Sequence, residues 1–478
     1  MPPPFTKAAM LLRQFRLIFA HALPMLMTQL ASLGMMLIDT SLLGHYGTED
    51  LAAVAVGGGI YIAIAFGLTG ITQAVAPMVA QHVGAERKQA IAACLQQGFW
   101  LALLLALPGL LLLRHPEPLF ALSEMAPGIE DKARAYLALL AWGMPATLLY
   151  RTFYACCNAL GHPRPLMLIS FAATLLHGGL AWTLVNGGWG NIAPGVFGCG
   201  LSNAITAWFT VVAGLIYLRR SRVLAGYRLL AAWQKPDLKS LSALFRLGLP
   251  MGFSNFVEIS SFTLVALFVA ELGATVLAGH RIIANLAALC YMLPLALAIA
   301  TLTQLGQAVG ARDELRARCS LWAGLLLGGG LSALLGLLVW LNAASIIALG
   351  SNDDAVARVA LPLLAYLALY QLADGIQVVA VHALRAYKIT FAPMLIHLAC
   401  FWGVGLWGGW WLAFHPLDLL FGQINSPALG VAGFWLAAAI SIALAAILLS
   451  VLLWRVLLSL REAETPASAD KTALEQSF

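Results

Sequence analysis

Three carboxylates stand inside long apolar stretches of this chain: Asp39, Glu258 and Asp374. Placing a carboxylate at bilayer depth costs at least about 2.5 to 3.5 kcal/mol, so such a residue lines a cavity, meets a partner or carries an ion. The chemistry open to it is proton exchange or coordination of a hard cation, which prefers oxygen ligands. Withdrawal from water favours the protonated form of any carboxylate, which makes protonation a candidate coupling event. Tyr370 precedes Asp374 by one helical turn, so phenol and carboxylate share a face and could hold one ion or one hydrogen bond. Glu258 has Ser254 and Ser261 at turn-related spacings. A structural hydrogen bond to a neighbouring helix is the competing reading for each acid. Two acids in one half of the chain, with Arg281 the only candidate counter-charge, weigh against it. His177, mid-span, could titrate near neutral pH or pack as a hydrogen-bonded core histidine.

The elements that must position these groups are membrane helices. The 478 residues are 61% hydrophobic and 10% charged, against a charged fraction of roughly 25% in soluble domains. A span needs about 20 apolar residues, and twelve such stretches follow one another, the first a retained helix rather than a cleaved signal. The links are short, which excludes a soluble catalytic domain; the longest, residues 220–243, is basic. Lys and Arg alternate between successive links. One set holds Lys7, Arg13, Arg16, Arg87, Lys88, Arg164, the run Arg219 to Arg246, Arg312, Arg316, Arg318, Arg385, Lys388, Arg455, Arg461 and Lys471, and the other only Arg114, Lys132, Arg134 and Arg358. By the positive-inside rule both termini are cytoplasmic. The net charge of +6 is thus a topology signal rather than a sign of nucleic-acid binding. Seven cysteines without metal-ligand spacing read as small packing residues.

The chain is written twice. At an offset of 226, Leu23-Pro24-Met25 overlies Leu249-Pro250-Met251, and Gln81-His82-Val83-Gly84-Ala85 overlies Gln307-Ala308-Val309-Gly310-Ala311. Six helices per repeat is even, so the halves relate by an axis along the membrane normal, a plan in which two bundles rock around a substrate. The acids break the symmetry: Glu258 overlies Ser32, and Asp39 overlies Val265. Prolines at 24, 77, 108, 145, 250, 294, 362 and 393 each permit a kink. Met25, Met27, Met35 and Met36 could form the soft wall of a promiscuous pocket.

Leu23-Pro24, Asp39, Gly84-Ala85, Pro250, Glu258, Gly279-His280-Arg281-Ile282, Tyr370 and Asp374 together resemble the multidrug and toxic compound extrusion (MATE) family, and within it the NorM-type bacterial branch. The resemblance covers roughly residues 10 to 455. It implies an all-α, V-shaped fold of twelve transmembrane helices in two six-helix bundles, acting as an inner-membrane antiporter that exports cationic or amphipathic drugs and dyes against Na⁺ or H⁺. Glu258, Asp374 and Tyr370 would be the cation-site groups, with Tyr291 nearby, and Asp39 would handle substrate or protons. Where related sequences carry two asparagines on the fifth helix, this chain has His177 and Ala181, a departure that disfavours a first-lobe cation site. The Gly403-Val404-Gly405 region matches only loosely.

The expected organisation is a cytoplasmic segment 1–16, a first bundle 17–219, a cytoplasmic basic linker 220–243, a second bundle 244–458 and a disordered cytoplasmic tail 459–478. The protein is expected to be a monomer in the lipid bilayer, not an enzyme, with no cofactor beyond a coupling ion, Na⁺ preferred. The rival is a lipid-linked oligosaccharide flippase, which should line its cavity with bases to meet a pyrophosphate. Acids inside and almost no intramembrane bases argue for cationic cargo instead. A membrane enzyme, the other rival, would need a sizeable surface loop, and none exists.

Overall fold

The computed structural model describes residues 7–120, 127–187, 195–231, 233–350, 353–416 and 428–464, apart from the side chains of 127, 349 and 461–464. The first lobe comprises α1 (Lys7–Tyr46), α2 (Thr48–Thr72), α3 (Val75–Gly84), α4 (Lys88–Arg114), the short α5 (Glu117–Phe120), α6 (Pro127–Ala159), α7 (Arg164–Val185) and α8 (Val196–Arg220). The second comprises α9 (Leu238–Ala270), α10 (Ala274–Gly310), α11 (Glu314–Leu341), the short α12 (Ala343–Gly350), α13 (Asp354–Ala386), α14 (Phe391–His397), a π-helical stretch Leu398–Trp407, α15 (Gly408–Phe414) and α16 (Val431–Glu464). Among the described residues eleven spans are long and apolar enough to cross a membrane, counting α2 with α3 and α14 through α15 as one each. The twelfth long helix is α6, whose apolar run is interrupted by Tyr150, Arg151 and Tyr154. The chain is a multi-pass membrane protein. Its last helix continues to Glu464, past the expected end at 458; no Gly or Pro stops it before Pro466. The rest of the expected tail, 465–478, lies outside the described residues.

The prolines differ in effect. Pro77 has no N–H and its ring crowds the carbonyl of Gln73. The second span accordingly bends at Gln73 and Ala74, both still right-handed. Its counterpart in the second lobe is Thr303, and α10 runs through that position unbroken. Pro393 is the third residue of α14, where the backbone N–H has no helical partner to lose. In the eleventh span the π turns loosen the backbone ladder. Ser441 Oγ donates to the Cys400 carbonyl at 2.8 Å and Ser261 Oγ to that of Phe401 at 3.2 Å.

The strongest internal repeat turns out to be the seam between the lobes. Gln81 Nε2 donates to the carbonyl of Ala386, at the end of α13, at 2.8 Å. Gln307 Nε2 donates to that of Ala159, at the end of α6, at 2.9 Å. Gly84 and Gly310 close the same figure: a Cβ on Gly84 would lie 1.9 Å from the Gln307 oxygen, and one on Gly310 2.0 Å from that of Gln81. Farther in, Gly248 and Gly252 of α9 press on the backbone of Ile71 and Gly67 of α2. Gln14 accepts from Ser320 Oγ at 3.1 Å, and Asn158 O from Thr303 Oγ1 at 3.2 Å. These contacts lie at the end of the bundle that carries Arg87, Lys88, Arg316 and Lys388. Among the described residues no hydrogen bond joins the lobes at the opposite end, where Lys132 instead pairs within the first lobe with Asp50 at 2.7 Å and Glu49 at 3.0 Å. The lobes therefore diverge as a V from one closed end.

The link between the lobes is docked rather than free. Buried Gln96 of α4 donates to the carbonyls of Leu229 and Ala231 and accepts from the Gln234 N–H. Gln97 donates to Lys235 O and accepts from Asp237 N–H, while Trp100 Nε1 donates to Gln234 O and Phe99 stacks on Trp233. Gln96→Leu strands these three backbone groups, at about 1–3 kcal/mol for each one left buried. The expected outcome is faster limited proteolysis between residues 220 and 237 in the variant than in the native protein, with the lobes still folded.

Candidate functional site

Three spans of the second lobe bring its acids together. Glu258 comes from α9, Tyr291 from α10, and Tyr370 and Asp374 from α13. Asp374 interacts electrostatically with Glu258, Tyr291, Tyr370 and Cys290, and Glu258 with Arg385 and Tyr291. The four groups singled out in the sequence for this lobe thus form one cluster. Asp374 is 1% exposed, and neither of its carboxylate oxygens receives a hydrogen bond. Beside it, one turn earlier on α13, Gln371 is fully buried with both amide atoms unsatisfied. Ser332 of α11 faces the same helix at Gly375, its Oγ also without a partner. Unpartnered buried oxygens of a carboxylate and an amide on α13, and of a hydroxyl on the α11 face packed against it, are the ligand chemistry that suits a hard cation or a proton. Gln371 was legible only as a polar residue on the Asp374 face. Ser332 carried no sequence signal.

The counter-charge expectation needs correction. Arg281 is exposed on α10. The base near Glu258 is Arg385, read in the sequence as part of a charged link. Because α13 continues to Ala386, Arg385 lies in the helix and is 5% exposed. Its guanidinium makes long contacts of 3.4 Å to His382 Nε2 and Asn255 Oδ1. Next to it, Gln377 and His397 meet at 2.8 Å. A second base, Arg151, lies within α6, so the chain is less free of intramembrane bases than its loop pattern suggests.

In the first lobe, Asp39 is 8% exposed and fully engaged. His177 Nε2 lies 2.8 Å from Oδ1, and Asn203 Nδ2 donates to Oδ2 at 2.9 Å. The histidine occupies the place expected for an asparagine, and the missing amide comes from α8 rather than α7. Asn203 was not singled out in the sequence: an amide within an apolar span was its one signal, and nothing in the sequence marked its pairing with residue 39. Asn203 also borders a cavity of about 190 Å³ inside the first lobe, lined by Thr28, Gln29, Ser32, Met35 and Tyr61 among others. Of the four methionines expected to soften a pocket, only Met35 lines it, while Met25 is packed in the core. All seven cysteines are buried and unpaired. Substituting Asn203 by Leu removes a charge-assisted bond worth about 1.5–3 kcal/mol. We expect dye uptake into everted vesicles, whose cytoplasmic face is outward, to fall about tenfold or more, and Asn203→Gln to recover only part of it because the longer side chain misplaces the amide.

The MatE family profile matches residues 24–183 and 250–411, one copy in each lobe. Over 436 residues the chain is 53% identical to "Probable multidrug resistance protein NorM" of Aromatoleum aromaticum, covering 91% of this chain and 93% of that one. The chain is a NorM-type member of the MatE family. A NorM relative from Neisseria meningitidis serogroup B is 34% identical, with 92% of this chain and 93% of the relative covered. Among solved structures, the eukaryotic MATE transporter AtDTX14 superposes with a TM-score of 0.82 at 19% identity, covering 93% of this chain and 96% of its own. A multidrug resistance MATE family transporter of the MOP superfamily, solved in an outward-facing conformation, gives 0.80 at 17%, covering 96% and 99%. At those identities the structures establish that this NorM-type chain shares the MATE fold.

Proposed function

We propose that this NorM-type protein is a secondary antiporter that exports cationic or amphipathic organic compounds in exchange for Na⁺ or H⁺. The observation that carries the reading is Asp374, a buried carboxylate without a hydrogen-bond donor, clustered with Glu258, Tyr291 and Tyr370. A buried charge of that kind is stable only when neutralised, so a proton or a cation belongs in its working cycle. Na⁺ is favoured because Asp374, Glu258 and Tyr370 offer several oxygens together, with the Gln371 carbonyl adjacent. Asp39 and His177 handle substrate or protons in the other lobe. The names of the relatives, multidrug resistance proteins, support a drug cargo.

With both termini cytoplasmic, as the Lys and Arg pattern implies, the end held shut by Gln81 and Gln307 faces the cytoplasm and the V opens outward. The protein works in the inner membrane as a monomer and carries no enzymatic chemistry. A flippase would need several bases converging on one cavity; the first-lobe cavity has a single one, Arg151. The test is accumulation of ethidium or norfloxacin in cells with and without the protein. Lower accumulation with the protein is the expected result, and equal accumulation of every cationic compound tried would sink the proposal.

A further inference from the structure

One base in the first lobe is left without a role by the coupling cluster. Arg151 lies eight residues before the end of α6, about 12 Å into the span by helical rise. Its guanidinium sits 5.5 Å above the ring of Tyr154. Among the described residues it meets no carboxylate, and it lines the first-lobe cavity. Around it in that cavity the hydroxyls of Tyr150, Tyr154 and Thr206 are buried, Tyr154 being 6% and Thr206 1% exposed; Thr206 has no hydrogen-bond partner, and the two phenols have only the side chains of Ser170 and Asn158 near them. An intramembrane arginine is costly unless it faces a partner or a polar cavity. Here the cation and three potential donors converge on one space whose lining contains no acid.

Behind the other end of the same space lies a carboxylate. Asn203, which lines the space, holds Asp39 at 2.9 Å. Beside Asn203, Ala204 packs against Gly143 of α6, and Gly143 is eight residues from Arg151, again about 12 Å along the helix. The cavity therefore has a guanidinium at one end and, behind the wall at the other, the Asp39 carboxylate, itself paired with His177 at 2.8 Å. The duplication sharpens the contrast. Ser32, which lines this cavity, overlies Glu258, so the place that gathers acids in the second lobe carries a base and hydroxyls in the first.

We propose that Arg151, with the Tyr150, Tyr154 and Thr206 hydroxyls, forms a subsite for the carboxylate of zwitterionic cargo whose cationic end lies toward Asp39. At about 190 Å³ the cavity takes one end of such a molecule, since drug-sized sites run to roughly 300–1,000 Å³. The guanidinium fork suits a carboxylate better than an ammonium would. The proposal builds on the efflux reading and assigns within it the residues that take the carboxylate end of amphoteric cargo.

Rhodamine 110 and its methyl ester rhodamine 123 differ only in a free carboxylate, and both can be followed by fluorescence polarisation on the purified protein. A charge-assisted contact of this kind is worth about ten- to hundredfold in affinity. Arg151→Gln should weaken rhodamine 110 by that factor and rhodamine 123 by less than about twofold, with Arg151→Lys between. Equal weakening of both dyes, or of neither, would overturn the subsite. So would an effect of Arg151→Gln seen only in nanodiscs containing phosphatidylglycerol, which would give the site to a lipid headgroup. Native protein that binds rhodamine 110 through Arg151 yet does not move it in proteoliposomes would overturn the efflux reading and leave the subsite standing.

Discussion

Asp374→Asn should reduce ion-coupled efflux at least about tenfold without destabilising the protein. The amide keeps the shape of the carboxylate and removes the charge. Whatever cation or proton the group exchanges loses a charge-assisted contact worth about 1.5–3 kcal/mol, or about ten- to hundredfold in affinity. Folding should be unharmed, because the native carboxylate is buried with both oxygens unsatisfied and burial of such a charge is a cost. Thermal unfolding of the purified variant should accordingly match or exceed that of the native protein. Glu258→Gln should follow the same direction, and the double variant should do little more than either single change, since the two groups act on one ion. Lost efflux together with a large fall in thermal stability would mean instead that Asp374 is a structural group.

Gly310→Val should open the closed end of the V. Its Cβ would meet the Gln81 carbonyl oxygen at 2.0 Å and the Cα of Gln81 at 2.7 Å, and backbone on both sides leaves no side chain to yield. Overpacking of this kind costs about 1–3 kcal/mol. The lobes can avoid the whole cost by separating, so it shifts the equilibrium between closed and open seam by roughly 5- to 150-fold. Amide hydrogen exchange should quicken in residues 81–87 and 307–313 of the detergent-solubilised variant, and efflux should fall as the closed-seam state is depopulated. Gly84→Val makes the mirror-image clash at 1.9 Å and should reproduce the result. Gly330, which has open space around its Cβ position, should tolerate alanine without either effect. Unchanged exchange in both seam variants would refute the seam.

Much of this was legible in the chain because membrane helices obey simple composition rules. The spans, the duplication and the pairing of Tyr370 with Asp374 follow from apolar length, a fixed offset and turn spacing, whereas the grouping of Glu258 with them came from the resemblance to the MATE family. What stayed hidden depends on which way a side chain turns. Arg385 sits at the end of its span beside Lys388, and the pattern of basic links hides a guanidinium that points inward. Asn203 sits on a different helix from the amide expected beside Asp39, and only tertiary packing joins residues 164 positions apart. The Gln81 and Gln307 repeat was the clearest signal of duplication, yet its role as a clamp required both copies to be seen face to face. Arg151 was overlooked because a single base in an aromatic run resembles neither a loop nor a paired acid.

The most direct test is a Na⁺ jump, at fixed pH and membrane potential, on protein in proteoliposomes loaded with a bound cationic dye, comparing the native chain with Glu258→Gln and Asp374→Asn. If these two acids hold the coupling cation, Na⁺ releases the dye from the native protein and fails to release it from either variant. Release that is equally complete in all three proteins would contradict the assignment of coupling to the second-lobe cluster.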